Sequence, residues 1–103
     1  MRISIASPGV DLKPGEAQRI EEDLQKIARH LEKVPEVDTK VRVGNGSPGT
    51  YKVMLEVDYR RNHLMAKAEN ADVGRAVREA REEILRQIKD RSRRGHSSQA
   101  KHT

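Results

Sequence analysis

From Tyr51 to Tyr59 the chain alternates without a break, with Tyr51, Val53, Leu55, Val57 and Tyr59 on one side and Lys52, Met54, Glu56 and Asp58 on the other. A period of two is the mark of a strand with one buried and one wet face. Such a strand needs partners, and the neighbouring segments supply them. Leu64, Ala66 and Ala68 alternate with Met65, Lys67 and Glu69 beyond a turn at Arg60-Arg61-Asn62-His63. Val37, Thr39, Val41 and Val43 alternate with Asp38, Lys40 and Arg42 ahead of a loop at Gly44 to Gly49. Met1 to Ser7 reads as one more short strand, closed by Pro8-Gly9.

In two places the period lengthens to that of a helix. Ala17, Ile20, Leu24, Ile27, Leu31 and Val34 recur in steps of three and four, with Pro14 expected in the first turn and Pro35 as the stop. Val73, Ala76, Val77, Ala80, Ile84 and Ile88 form a second stripe, with Asn70 or Asp72 placed to cap it and fraying expected near Ser92 to Gly95. The order β-α-β-β-β-α, with one apolar face per element, predicts an α+β, two-layer fold. A four-stranded mixed sheet carries both helices packed on one face, and its first two strands run parallel through a crossover. Residues 1–94 form one domain, and residues 95–103 are expected to be a disordered basic tail.

Composition narrows the function. Charged residues are 36% of the chain and apolar ones 34%, with no Phe, Trp or Cys. A core that lean leaves no deep pocket for a small-molecule substrate, and neither a cofactor nor an enzymatic role is expected. Without Cys there is no disulfide, thiolate nucleophile or Cys-based zinc site. No apolar run is long enough for a membrane span, and the first residues are too short for a signal core, so the expected location is the cytoplasm. The net charge of +5 favours an anionic partner.

The distribution of charge points the same way. On a helical wheel Arg75, Arg78, Arg86, Lys89 and Arg93 gather opposite the second apolar stripe, interrupted only by Glu82. Lys26, Arg29 and Lys33, together with Arg19, lie opposite the first. Two helices side by side would then offer two basic ridges, with cations repeating at about 5 Å per turn, a pitch suited to gripping phosphates. The alternative is a solvated surface stitched by helix pairs such as Glu82 with Arg86 and Arg75 with Glu79.

Other motifs carry less. Gly44-Asn45-Gly46-Ser47-Pro48-Gly49 matches G-x-G-x-x-G, but a strand follows it where a phosphate site needs a helix, and Pro48 lacks an amide hydrogen. His30, His63, His96 and His102 show no metal-ligand spacing, and His63 reads as a turn residue. Tyr51 and Tyr59 share the core-facing side of their strand, which makes them packing residues; two tyrosines do not form a base-stacking platform.

The run from Leu64 to Val77, an alternating strand ending in Ala68-Glu69 followed by Asp72-Val73-Gly74-Arg75-Ala76-Val77, resembles the short ribosome hibernation-promoting factor, or ribosome-associated translation inhibitor, family. The basic end from Arg86 to Arg94 and the lead-in Val10-Asp11-Leu12 are similar to that family too. Departures are Gly74 where a larger residue is usual, Arg78 where an acid is frequent, and Lys13 in place of a Ser or Thr cap. The resemblance implies binding to small-subunit ribosomal RNA, over the sites used by messenger and transfer RNA, with inhibition of translation and preservation of idle ribosomes under stress. Carried over, the ribosome-facing residues are Arg75, Arg78, Arg86, Lys89 and Arg93, then Lys26, Arg29 and Lys33. A general double-stranded RNA or DNA-binding module and a protein-interaction domain are the competing readings.

Overall fold

The alternating segments pair as their periodicity requires. In the computed structural model, which describes the backbone of residues 1–101 and the side chains of residues 1–92, the elements are β1 (Arg2–Ala6), α1 (Glu16–His30), β2 (Asp38–Asn45), β3 (Tyr51–Tyr59), β4 (Asn62–Asn70) and α2 (Val73–Lys101). The four strands lie in sequence order. Strands β1 and β2 are parallel, and the β2–β3 and β3–β4 pairs antiparallel. The α+β arrangement of a mixed sheet and two helices is thus the one the sequence predicts.

The core lies between sheet and helices. Val41, Val43, Val53, Leu55, Val57, Leu64 and Ala66 face Ile20, Leu24 and Ile27 of α1 and Ala76, Val77, Ala80 and Ile84 of α2, all buried. Tyr51 and Tyr59 pack against the same core, Tyr59 fully and Tyr51 in part. Burial raises the pKa of the Tyr59 hydroxyl, opposed by the charges of Arg91 and Arg60. On β2, Thr39 is buried among these apolar residues and its hydroxyl has no hydrogen-bond partner. An unpaired buried hydroxyl is costly, so Thr39→Val should stabilise the fold by about 1 kcal/mol, or raise Tm by about 4–8 °C. Thermal denaturation of the variant checks this; an unchanged or lower Tm contradicts it.

Several boundaries differ from the sequence reading, each for a local reason. Helix α1 begins after Gly15, whose φ of 88° favours glycine, so Pro14 stands ahead of the helix and outside its first turn. No side-chain cap is made by Gly15; instead the Glu16 carboxylate reaches back to accept the Lys13 N–H at 2.6 Å. Ala17, expected in the stripe, is exposed in that first turn. The helix ends at His30, and Leu31 and Val34 continue through turns closed by Leu31 N–H to Ala28 O at 3.1 Å and Val34 N–H to Leu31 O at 3.0 Å. Pro35 disfavours a helical Val34, and the chain must reverse to start β2. The β3–β4 turn is only Arg60-Arg61, with Arg60 at φ 55°, and so His63 belongs to β4 and not to the turn. The backbone of α2 continues past Ser92–Gly95, where fraying was expected. The expected disordered tail, residues 95–103, lies outside the residues whose side chains are described.

Candidate nucleic-acid interface

Helix α2 is launched by a short polar relay. Asn70 Oδ1 accepts the Asp72 N–H at 2.9 Å, and Asp72 Oδ1 accepts the Arg75 N–H at 3.2 Å, so Asp72 is the cap and Asn70 holds it. The Asn70 amide also donates to Glu79 at 3.1 Å. This fixes the rotation of the helix at its start, while the buried stripe from Val73 to Ile88 fixes it along its length. Arg75, Arg78, Arg86 and Lys89 are left exposed. The side chain of Arg93 lies outside the described residues. On the other helix Lys26 and Arg29 are exposed opposite Ile20, Leu24 and Ile27; Lys33 is exposed in the turn beyond the helix end.

The carboxylates among these cations are largely committed elsewhere. The expected pairs Glu82–Arg86 and Arg75–Glu79 are not among the ion pairs of the described residues. Glu82 instead accepts from Arg81 Nε at 3.2 Å, and Glu79 from Asn70. Glu83 accepts from Arg86 at 3.0 and 2.5 Å and from Gln87 at 3.0 Å. Its pKa is lowered, by these hydrogen bonds first. The Arg86 guanidinium is thus held between Glu83 and Asp90, its other nitrogen 3.2 Å from Asp90 Oδ2, although its side chain is 63% exposed. Arg75, Arg78, Lys89, Lys26, Arg29 and Lys33 have no ion-pair partner among the described residues. An unpaired exposed cation can exchange its counterions for phosphate, whereas Arg86 must first part from two carboxylates.

One residue the sequence reading passed over ties the helices together. Arg81 is buried, its side chain 5% exposed, and its guanidinium lies 3.3 Å from Asp23 of α1 and 3.2 Å from Glu82. This bridge sits in the seam between α1 and α2 and helps to set their separation. Gln87 performs a similar task toward the sheet, donating at 3.0 Å to the carbonyl of Met65 on the edge strand β4, and Arg91 donates to Asn62 at 3.0 Å.

The literal G-x-G-x-x-G run is the β2–β3 hairpin loop, as its flanking strands required. Glu69 of β4 fastens it, accepting the Ser47 N–H at 3.0 Å and the Thr50 hydroxyl at 2.7 Å. A Cβ at Gly46 would come within 2.7 Å of that carboxyl group, so a larger residue there would make the Glu69 side chain shift. The Thr50 and Ser47 bonds hold the Glu69 pKa down at about 2.

On the outer sheet face Glu56, Asp58 and His63 bring their donor atoms within 4.8 Å of one another. Sequence spacing gave no hint of this, because His63 was placed in the turn. Asp58 and His63 are directly opposed across β3 and β4, and His63 Nδ1 donates to Asp58 at 2.5 Å. That hydrogen bond, then the Asp58 charge, raises the imidazole pKa. These three are the described residues that could together hold a cation; their observed role is the cross-strand pair.

Comparison with known proteins agrees with this architecture. The family described as Sigma 54 modulation protein / S30EA ribosomal protein matches residues 3–96. No curated protein sequence matches the chain. Among solved structures, the fold is similar to the Protein Y N-terminal domain of Thermus thermophilus, with a TM-score of 0.75 and 19% identity over 87% of this chain and 98% of that one. It is also similar to a ribosomal subunit interface protein from Coxiella burnetii, with a TM-score of 0.78 and 18% identity over 89% and 98% of the two chains.

Proposed function

The chain belongs to the Sigma 54 modulation protein / S30EA ribosomal protein family, and from that premise we propose that it associates with the ribosome by binding RNA of the small subunit through the exposed cations of α1 and α2. In this reading it acts in the cytoplasm as a binding protein without enzymatic activity, inhibits translation by occupying the subunit, and preserves idle ribosomes. No helix among the described residues is long and apolar enough to cross a membrane.

The observation that carries the reading is the pairing pattern on α2. Glu79, Glu82 and Glu83 are engaged by Asn70, Arg81, Arg86 and Gln87, while Arg75, Arg78 and Lys89 stand free of ion pairs among the described residues. A surface evolved only for solvation gains from pairing these charges. A surface kept for phosphate gains from leaving them unpaired, because each contact then releases condensed counterions. The sheet holds both helices rigidly, so their cations meet a folded RNA at fixed spacing and recognise its backbone and shape more than its bases.

Co-sedimentation with small ribosomal subunits over a salt series, with naked duplex RNA as control, tests this. Tight subunit binding that weakens steeply with salt is expected. The variant Arg75→Glu, Arg78→Glu, Lys89→Glu should lose roughly a thousandfold or more in affinity, given charge-assisted contacts of about 1.5–3 kcal/mol each. Its Tm should stay close to that of the parent, since all three side chains are exposed. Arg86→Ala should cost less than Arg78→Ala. Equal affinity for free duplex would favour a general double-stranded nucleic-acid module, and binding indifferent to salt would favour a protein-interaction domain.

A further inference from the structure

The sheet face turned away from the helices has a charge order of its own. Across the strands, Arg42 lies beside Met54 and Met54 beside Lys67. One row nearer the hairpin loop, Gly44 is beside Lys52 and Lys52 beside Glu69. One row the other way, Lys40 is beside Glu56, and beyond it Asp38 is beside Asp58 and Asp58 beside His63. Arg42, Lys52 and Lys67 therefore surround Met54 toward the loop end, Lys40 shares the next row with Glu56, and Asp38 and Asp58 occupy the far end.

All four cations are exposed, and none is in an ion pair among the described residues. Two acids adjoin them in register: Glu69, beside Lys52, spends its carboxylate on Ser47 and Thr50, and Glu56 lies beside Lys40 without an ion pair to it. Strand geometry sets Lys40 and Arg42 about 7 Å apart along β2, and Arg42 and Lys67 about 10 Å apart across β3. Beside Arg42 and Lys67 lies a shallow depression of about 220 Å³ lined by Arg42, Gly44, Asn45, Lys52, Val53, Met54 and Lys67.

We propose that this cationic half of the outer sheet face is a second binding site for RNA phosphate backbone, so that RNA contacts the domain on two opposite sides. The inference rests on the ribosome-binding reading given above and adds to it a surface on the far side of the sheet from the helices. RNA fits better than a protein segment because the patch has no aromatic anchor and three of its four cations are lysines, which protein interfaces disfavour. Met54 is half-buried among the cations and Met65 is exposed in the next row, where they can meet a sugar or a base face while the cations meet phosphates. The acidic far end repels phosphate, which confines the strand to the loop end and gives the contact a direction.

The variant Arg42→Gln, Lys52→Gln, Lys67→Gln tests the site while keeping side-chain length and hydrogen-bonding capacity, and its Tm shows that it folds. Small-subunit binding over a salt series should weaken about tenfold or more, and the slope of log K against log salt should become shallower by about 2, as expected for up to three lost phosphate contacts. Hydroxyl-radical footprinting of the subunit RNA should show one set of protected positions lost in this variant and a different set lost in the α2 charge-reversal variant. Wild-type affinity and slope in the glutamine variant would overturn the second site and leave the helix site standing. Weakened binding with every RNA protection retained would assign the patch to an acidic protein segment and overturn the RNA assignment. Failure of the unaltered protein to bind the subunit would overturn both.

Discussion

Asp23→Ala is expected to cost the domain about 2–4 kcal/mol, which lowers Tm by roughly 10–20 °C. The reason is the partner it abandons. Arg81 keeps its charge inside the seam between α1 and α2, and after the substitution its remaining carboxylate is Glu82, whose own side chain is 62% exposed. A buried guanidinium that loses a close partner bears a desolvation cost, which the exposed Glu82 offsets only in part. Arg81→Met removes the charge along with the need for partners, and should leave stability near that of the parent or above it. Thermal and urea denaturation of both variants gives a clear contrast. An Asp23→Ala protein within about 0.5 kcal/mol of the parent would show that water reaches the pair well enough to screen it.

Leu24→Ala should be at least as damaging, at about 3–5 kcal/mol, because Leu24 is fully buried where α1 meets the sheet. Domains of this size are stable by about 5–15 kcal/mol in total, so the variant sits near the edge of folding at physiological temperature. Urea unfolding should show a lower midpoint with an unchanged slope if the native structure is retained. A loss below about 1 kcal/mol would mean that α1 settles onto the sheet and closes the gap.

The strands were legible in the sequence because their buried and wet faces alternate cleanly, and the helices because their apolar stripes recur at three and four. What the sequence concealed depends on register and on contacts between distant segments. Arg81 follows Ala80 on α2, at the margin of the apolar stripe, and its position there was the available signal; its partner Asp23 lies 58 residues away across a seam that only the fold creates. Reading the β3–β4 turn as four residues hid the opposition of Asp58 and His63, which a two-residue turn at Arg60-Arg61 brings into line. Lys67 could be joined to Arg42 only once β2, β3 and β4 were placed side by side. The pairing of Arg86 was within reach, because Glu83 and Asp90 stand three and four residues from it, but Glu82 occupies an equally plausible position on the wheel and side-chain geometry decides between them.

Glu69 bolts the tip of the β2–β3 hairpin to the neighbouring strand, and its carboxylate stays ionised down to about pH 2. Those two hydrogen bonds pin the loop before it meets a partner. It gives up little freedom of movement on contact, so more of the attraction made there survives as affinity.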